Sequence, residues 1–305
     1  VPVVVPERFR GFADRGEEWA RWLDRLPRLV GDLLGEWDLT ADGAAVHGEC
    51  ALVVPVRTAD GVPAVLKVSW PHWEAEYEHL ALRDWDGAGS VRLLRADPHR
   101  FALLLERVHP RDLTTVEEIE ATELVAATYR RLHVPAGPQY RRLSVEVTRW
   151  ADGLAALPSG APVPRRYVEQ AVSLARDLAA DPDCDGRLIH TDLHYFNVLA
   201  ADREPWLVID PKPLSGDPHY EVAPLLWNRW DEITTTGDVR AAVRRRFHAA
   251  VDAAGLDEDR ARDWVVVREL CNIGWAIEDL GGRLVDPETQ DWITTALAIA
   301  KAVQD

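Results

Sequence analysis

At 305 residues the chain is longer than one hydrophobic core usually grows, so two lobes are expected, and an apolar fraction of 47% suits a folded globular protein. The formal charge of −16 argues against a nucleic-acid partner, whose phosphates need a basic face, and fits a cationic ligand or simple solubility. No apolar run reaches the roughly 18–20 residues of a membrane span, the opening VPVVVPERFRG lacks a secretion signal, and Cys50, Cys184 and Cys271 are too scattered for a disulfide framework or zinc cage, so a cytoplasmic chain with reduced thiols is expected.

Residues 16–34 repeat Trp19, Trp22, Leu23, Leu26, Val30 and Leu33 at three- and four-residue spacing, which predicts an amphipathic helix broken at Pro27. Two β-rich runs follow around Asp60-Gly61, a dipeptide that predicts a hairpin. A helix over about 72–86 and a second hairpin turning at Asp97 to Arg100 complete a small antiparallel sheet within residues 40–108. Beyond Val108 the periods are helical. Thr115 and Glu118 have capping-box spacing, the stretches 134–143 and 157–164 are Pro-Gly loops, and helical patterns cover about 164–180, 219–230, 238–254, 259–281 and 286–303. The organisation expected is α+β: a β-rich N-terminal lobe, 1–108, and a helical C-terminal lobe, 109–305, with ligands held where lobes meet.

Between the helical patterns at 164–180 and 219–230 lies RLIHTDLHYFNVLAADREPWLVIDPKPLSGDP, in which His190-x-Asp192 is followed by Asn197 and then by Asp210 at the end of an apolar run. Phosphoryl transfer needs a carboxylate to orient or deprotonate the acceptor hydroxyl and two oxygen ligands to hold magnesium against the phosphates. One loop and one strand end supply all three. The bland reading, in which these side chains only cap turns, fits the placement less well. Lysine is confined to Lys67, Lys212 and Lys301, so a position that keeps it calls for a compact ammonium.

The H-x-D-x-x-x-x-N loop, the later Ile209-Asp210 and the Lys of AVLKV resemble the aminoglycoside phosphotransferase group of the protein-kinase-like fold. LKVSWP, LLLERV, HTDLHYFNVL and IDPKPLSGDPHYEVAPLLWNR are similar, more narrowly, to its streptomycin 6-kinase and hydroxyurea phosphotransferase branch, over roughly residues 20–280. The resemblance implies a two-lobed kinase-like fold, ATP and Mg2+ as cofactors, and a small cationic acceptor. It makes Asp192 the catalytic base, Asn197 and Asp210 the metal ligands, and His190 a brace of the loop. Lys67 would pair with the α- and β-phosphates, held by Glu78, with Glu74 and Glu76 as rivals. Glu106 and Val108 would offer backbone groups to adenine, and Gly48 would mark a phosphate-covering loop poorer in glycine than such loops usually are. Asp217 would steady the catalytic loop, cap the next helix, or both. Lys212 would neutralise the transferring group or remain a solvated lysine.

For a cationic acceptor the candidates are Asp231, Glu232, Glu269, Glu278 and Asp279, each also readable as a solvated helix charge. Trp227, Trp230 and Trp275 could stack on a guanidinium or sugar ring. The activity expected is phosphorylation of a hydroxyl on streptomycin or a related aminoglycoside. The alternatives are a kinase of hydroxyurea, a sugar or an amino alcohol, and a catalytically idle nucleotide-binding module.

Overall fold

The computed structural model describes residues 3–304. Contacts divide the chain into two units, one running up to Pro110 and including Leu199–Lys212, the other made of Arg111–Val198 and the chain from Pro213 onward. The stretch 199–212, assigned by its sequence position to the C-terminal lobe, therefore packs with the N-terminal unit.

The first unit is built on a six-stranded antiparallel sheet in the order Thr40–Ala41, Ala51–Arg57, Pro63–Ser69, Ala102–Glu106, Leu93–Asp97, with Val46–His47 also pairing with Ala51–Arg57. Alternation decides its faces. Leu52, Val54 and Val56 on one strand and Ala64, Leu66 and Val68 on the next are fully buried, each large one contributing roughly 1.5–3 kcal/mol. They share a core with Trp22, Leu23, Leu26, Val30 and Leu33 of helix Glu17–Glu36. That helix runs through Pro27 instead of breaking, because Pro27 lies on the exposed side, where a lost N–H bond is made good by water.

The Asp60-Gly61 hairpin forms with Arg57 opposite Pro63, and Gly61 takes φ +79°. The expected helix over 72–86 is shorter, Glu78–Trp85. Its first turns fail to form a stripe that can be buried, and Trp73 stays 37% exposed. The later hairpin, Val198–Ala200 with Trp206–Val208, joins this unit through Val208, whose N–H donates to Gly89 O at 2.9 Å and whose carbonyl accepts from Val91 N–H at 3.0 Å.

The second unit is mainly helical, with helices Glu118–Leu132, Leu143–Ala155, Arg165–Ala180, Val239–Ala254, Glu258–Asp279 and Pro287–Ala302, and a two-stranded ribbon pairing Arg187–Ile189 with Leu214–Gly216. The capping box is not realised. Glu117 caps the helix by accepting from Ile119 and Glu120 N–H at 2.9 and 3.0 Å, while Thr115 belongs to a separate turn capped by Asp112. The pattern at 219–230 splits into Pro218–Val222, Ala223–Trp227 and Trp230–Thr235, with Arg229 left-handed at φ +53°.

Candidate active site

In the first unit Lys67 projects from the middle of a central strand, between Val53 and Leu103 on its neighbours, and is 7% exposed. An ammonium this deep needs counter-charge. Its Nζ donates to both oxygens of Glu78 at 2.7 and 2.8 Å, and to Oδ1 of Asp210. Burial alone would lower the Lys67 pKa, but the Asp210 and Glu78 carboxylates outweigh it and hold it above its ordinary value. Asp210 stands just past strand Trp206–Val208 in the left-handed region, φ +57°, an unusual conformation for a residue other than glycine. The charge of Lys212 acts on both Glu78 and Cys50, lowering the carboxyl and thiol pKa values against the larger effect of burial.

The remaining nucleotide-side candidates behave differently from one another. The Glu106 carboxylate is taken up by Arg203 at 3.0 and 2.9 Å and by Arg92 N–H at 3.0 Å, and its own N–H donates to Arg92 O at 2.9 Å. Its side chain is thus a structural clamp. Val108 follows two residues on, half-buried. Gly48 turns the hairpin between Val46–His47 and Ala51–Arg57, its N–H donating to Ala51 O at 3.0 Å, and a Cβ there would meet nothing within 4 Å.

In the second unit the loop after strand Arg187–Ile189 carries the H-x-D-x-x-x-x-N residues. His190 is fully buried and its Nδ1 accepts from Asp192 N–H at 3.2 Å, so it braces the loop. Asn197 Nδ2 donates to the Asp192 carbonyl at 2.8 Å, which orients the amide and leaves its oxygen free of that bond. The Asp192 carboxylate is half-buried, 3.8 Å from His194 Nε2. Two anchors absent from the sequence reading hold this backbone. Glu221 accepts from Thr191 N–H at 2.7 Å, where Thr191 is left-handed at φ +66°, and Asn228 accepts from Tyr195 N–H at 2.9 Å.

Asp217 does not fill the loop-steadying role. It caps Pro218–Val222 through His219 N–H at 3.0 Å and accepts from Trp264 Nε1 and Arg260 Nε, each at 2.6 Å. Glu221, four residues on, holds the loop instead. Burial raises its carboxyl pKa to about 7, opposed by the Thr191 and His190 backbone bonds. An acid lying among the buried residues Tyr220, Val222 and Ala223 was the available signal.

The five acceptor candidates do not form a set. Glu269 is fully buried in helix Glu258–Asp279, where burial pushes its carboxyl well above the usual range, so it cannot line an open pocket. Glu232 is engaged by Arg229 at 2.8 and 2.5 Å. Asp231, Glu278 and Asp279 are exposed. Trp227 and Trp275 flank a guanidinium, that of Arg268, at 5.9 and 5.0 Å, together with Tyr220 at 5.1 Å.

Asp210 and Asn197 present hard oxygen donors of the kind magnesium takes alongside phosphate oxygens, and Lys67 is a caged ammonium suited to phosphate. The family model described as aminoglycoside/hydroxyurea antibiotic resistance kinase matches residues 36–280. The chain is 44% identical over 297 residues to streptomycin 6-kinase of Streptomyces glaucescens, covering 93% of this chain and 94% of the relative. It is 39% identical over 297 residues to hydroxyurea phosphotransferase of Kitasatospora aureofaciens, covering 94% and 82%. A solved structure of spectinomycin phosphotransferase with ADP and spectinomycin matches with a TM-score of 0.62 over 91% of this chain and 98% of that one, at 14% identity, a likeness of fold.

Proposed function

Since the chain belongs to the aminoglycoside/hydroxyurea antibiotic resistance kinase family, we propose that it transfers the γ-phosphoryl group of ATP to a hydroxyl of streptomycin or a related aminoglycoside, in the cytoplasm, where ATP is at hand. The observation that carries this reading is the buried Lys67 held jointly by Glu78 and Asp210. An idle module has no need of an ammonium kept charged at that depth.

In this reading Lys67 binds the α- and β-phosphates, and Glu78 fixes the direction in which it points. Asp210 and Asn197 hold magnesium, which when bound offsets the charge of the phosphate oxygens. Backbone groups at Glu106 and Val108 receive adenine, and the turn at Gly48 covers the phosphates. Asp192 accepts a hydrogen bond from the acceptor hydroxyl and takes its proton as the oxygen attacks. His190, Glu221 and Asn228 keep that carboxylate in place by holding the backbone on either side of it. Lys212 offsets charge on the transferring group. Of the acidic residues, Asp231, Glu278 and Asp279 are exposed, and in this reading they attract a polycation.

Hydroxyurea is the second reading, supported by the 39% identity to a hydroxyurea phosphotransferase. A coupled assay of ADP release against streptomycin, other aminoglycosides and hydroxyurea separates the two, repeated across a salt series. With streptomycin as the acceptor, its KM rises with ionic strength, because screening shortens attraction to about 10 Å at 0.1 M salt. Turnover of hydroxyurea alone, with no salt dependence, selects the second reading.

A further inference from the structure

The family model begins at residue 36, yet the chain before it converges on the turn that the reading above lays over the nucleotide phosphates. The ring of Phe9 stacks on His47 at 5.0 Å and 23°, and Phe12 meets the same imidazole edge-on at 5.7 Å. Arg15 donates to the Glu49 carbonyl at 3.0 Å and to the Glu49 carboxylate at 2.7 Å, while its guanidinium lies 3.7 Å over Phe12. Trp19 stacks on Trp70 at 4.5 Å and 13°, and Trp70 N–H donates to Cys50 O at 2.6 Å. Every residue from His47 to Cys50 is thereby tied down, Gly48 through its own bond to Ala51. Burial raises the Cys50 thiol pKa, and the charges of Lys212, Arg15, Glu74 and Asp210 also act on it, so this turn lies within electrostatic reach of Asp210.

A glycine-rich loop wraps phosphate by conformational freedom and loses that freedom on binding. Here the turn holds one glycine and also carries a carboxylate, Glu49, which would repel phosphate unless neutralised. We infer that the N-terminal segment around Phe9, Phe12 and Arg15 is a clasp that pre-sets the phosphate-covering turn, and that Arg15 is a positioning residue for nucleotide that acts by neutralising and orienting Glu49. This rests on the kinase reading, and the test separates the two.

Calorimetric titration of wild type, Arg15→Ala, Arg15→Lys and the double variant Arg15→Ala/Glu49→Ala with ADP and with a non-hydrolysable ATP analogue, each with magnesium, reads nucleotide affinity without any acceptor. Arg15 and Glu49 are both exposed, so the fold survives these changes. Arg15→Ala should weaken nucleotide binding about 2- to 5-fold, the range of a solvent-screened charge contact. Removing Glu49 as well should recover most of the loss. Arg15→Lys should fall between, since an ammonium can neutralise the acid but cannot fork to both its oxygen and the carbonyl. The acceptor KM should not move. Arg15→Ala affinity equal to wild type, or a double variant no better than the single, overturns the clasp while leaving the kinase reading intact. A wild-type protein that binds neither nucleotide overturns the kinase reading and the clasp together.

Discussion

Replacing Glu221 by Gln isolates the buried carboxyl that holds the loop carrying Asp192. The amide keeps an oxygen for Thr191 N–H, so that bond can be retained while the ionisation is lost. In the wild type the carboxyl pKa goes from 4.5 unfolded to about 7 folded, raised by burial. A folded pKa above the unfolded one means that the native state binds the proton more tightly. The associated stability is therefore present in full below about pH 4.5 and is lost as pH rises through about 7. At 1.36 kcal/mol per pKa unit the loss is about 3 kcal/mol. Units of roughly 150–250 residues change Tm by about 2–4 °C per kcal/mol. Wild type should therefore lose about 6–12 °C more than Glu221→Gln between about pH 4 and about pH 8. Groups common to both proteins cancel in that difference. Calorimetric melting across the range reads it, and parallel pH profiles for the two proteins would show that the Glu221 carboxyl carries no such burial cost.

Asp192→Asn should lower turnover by about 10²- to 10⁴-fold with nucleotide affinity unchanged, measured by steady-state kinetics and calorimetry; near-normal turnover removes Asp192 from the chemistry. Asp210→Asn should abolish the extra thermal stabilisation that magnesium adds to ATP, because an amide is a poorer ligand for a hard cation, and an intact magnesium effect counts against the assignment. Lys67→Met should cost about 3–5 kcal/mol by stranding Glu78 in the interior. Lys67→Met/Glu78→Leu should recover the melting temperature but not nucleotide binding, and a double variant as unstable as the single would show that the pair is not what the site depends on.

The parts legible in the sequence are those set by local pattern. Strict alternation around Asp60-Gly61 leaves one register that buries Leu52, Val54, Ala64 and Leu66 together, and that register places Lys67 on the sheet. The His190, Asp192 and Asn197 spacing was visible because a single short loop carries all three. What escaped the sequence depends on partners far along the chain. Nothing near Glu221 announces Thr191, thirty residues earlier. Helix Glu258–Asp279 is buried on most sides from Ala261 to Ile273, so it has no polar face against which Glu269 could be recognised as interior. Helix Leu143–Ala155 has a clear stripe of Leu143, Val147, Ala151 and Leu154, but the Pro-Gly stretches on either side obscured it. Thr115 does not cap the helix because it closes the preceding turn, where its hydroxyl donates to Asp112 O at 2.8 Å, and Glu117, adjacent to the helix start, accepts both N–H groups instead.

Mass spectrometry of streptomycin incubated with the protein, ATP and magnesium tests the proposed transfer of a phosphoryl group from ATP to an antibiotic hydroxyl. A product heavier by one phosphoryl group should form in step with ADP, and its initial rate should fall by about 10²- to 10⁴-fold when Asp192→Asn replaces the wild type. Unmodified streptomycin after prolonged incubation with active, nucleotide-binding protein would contradict it.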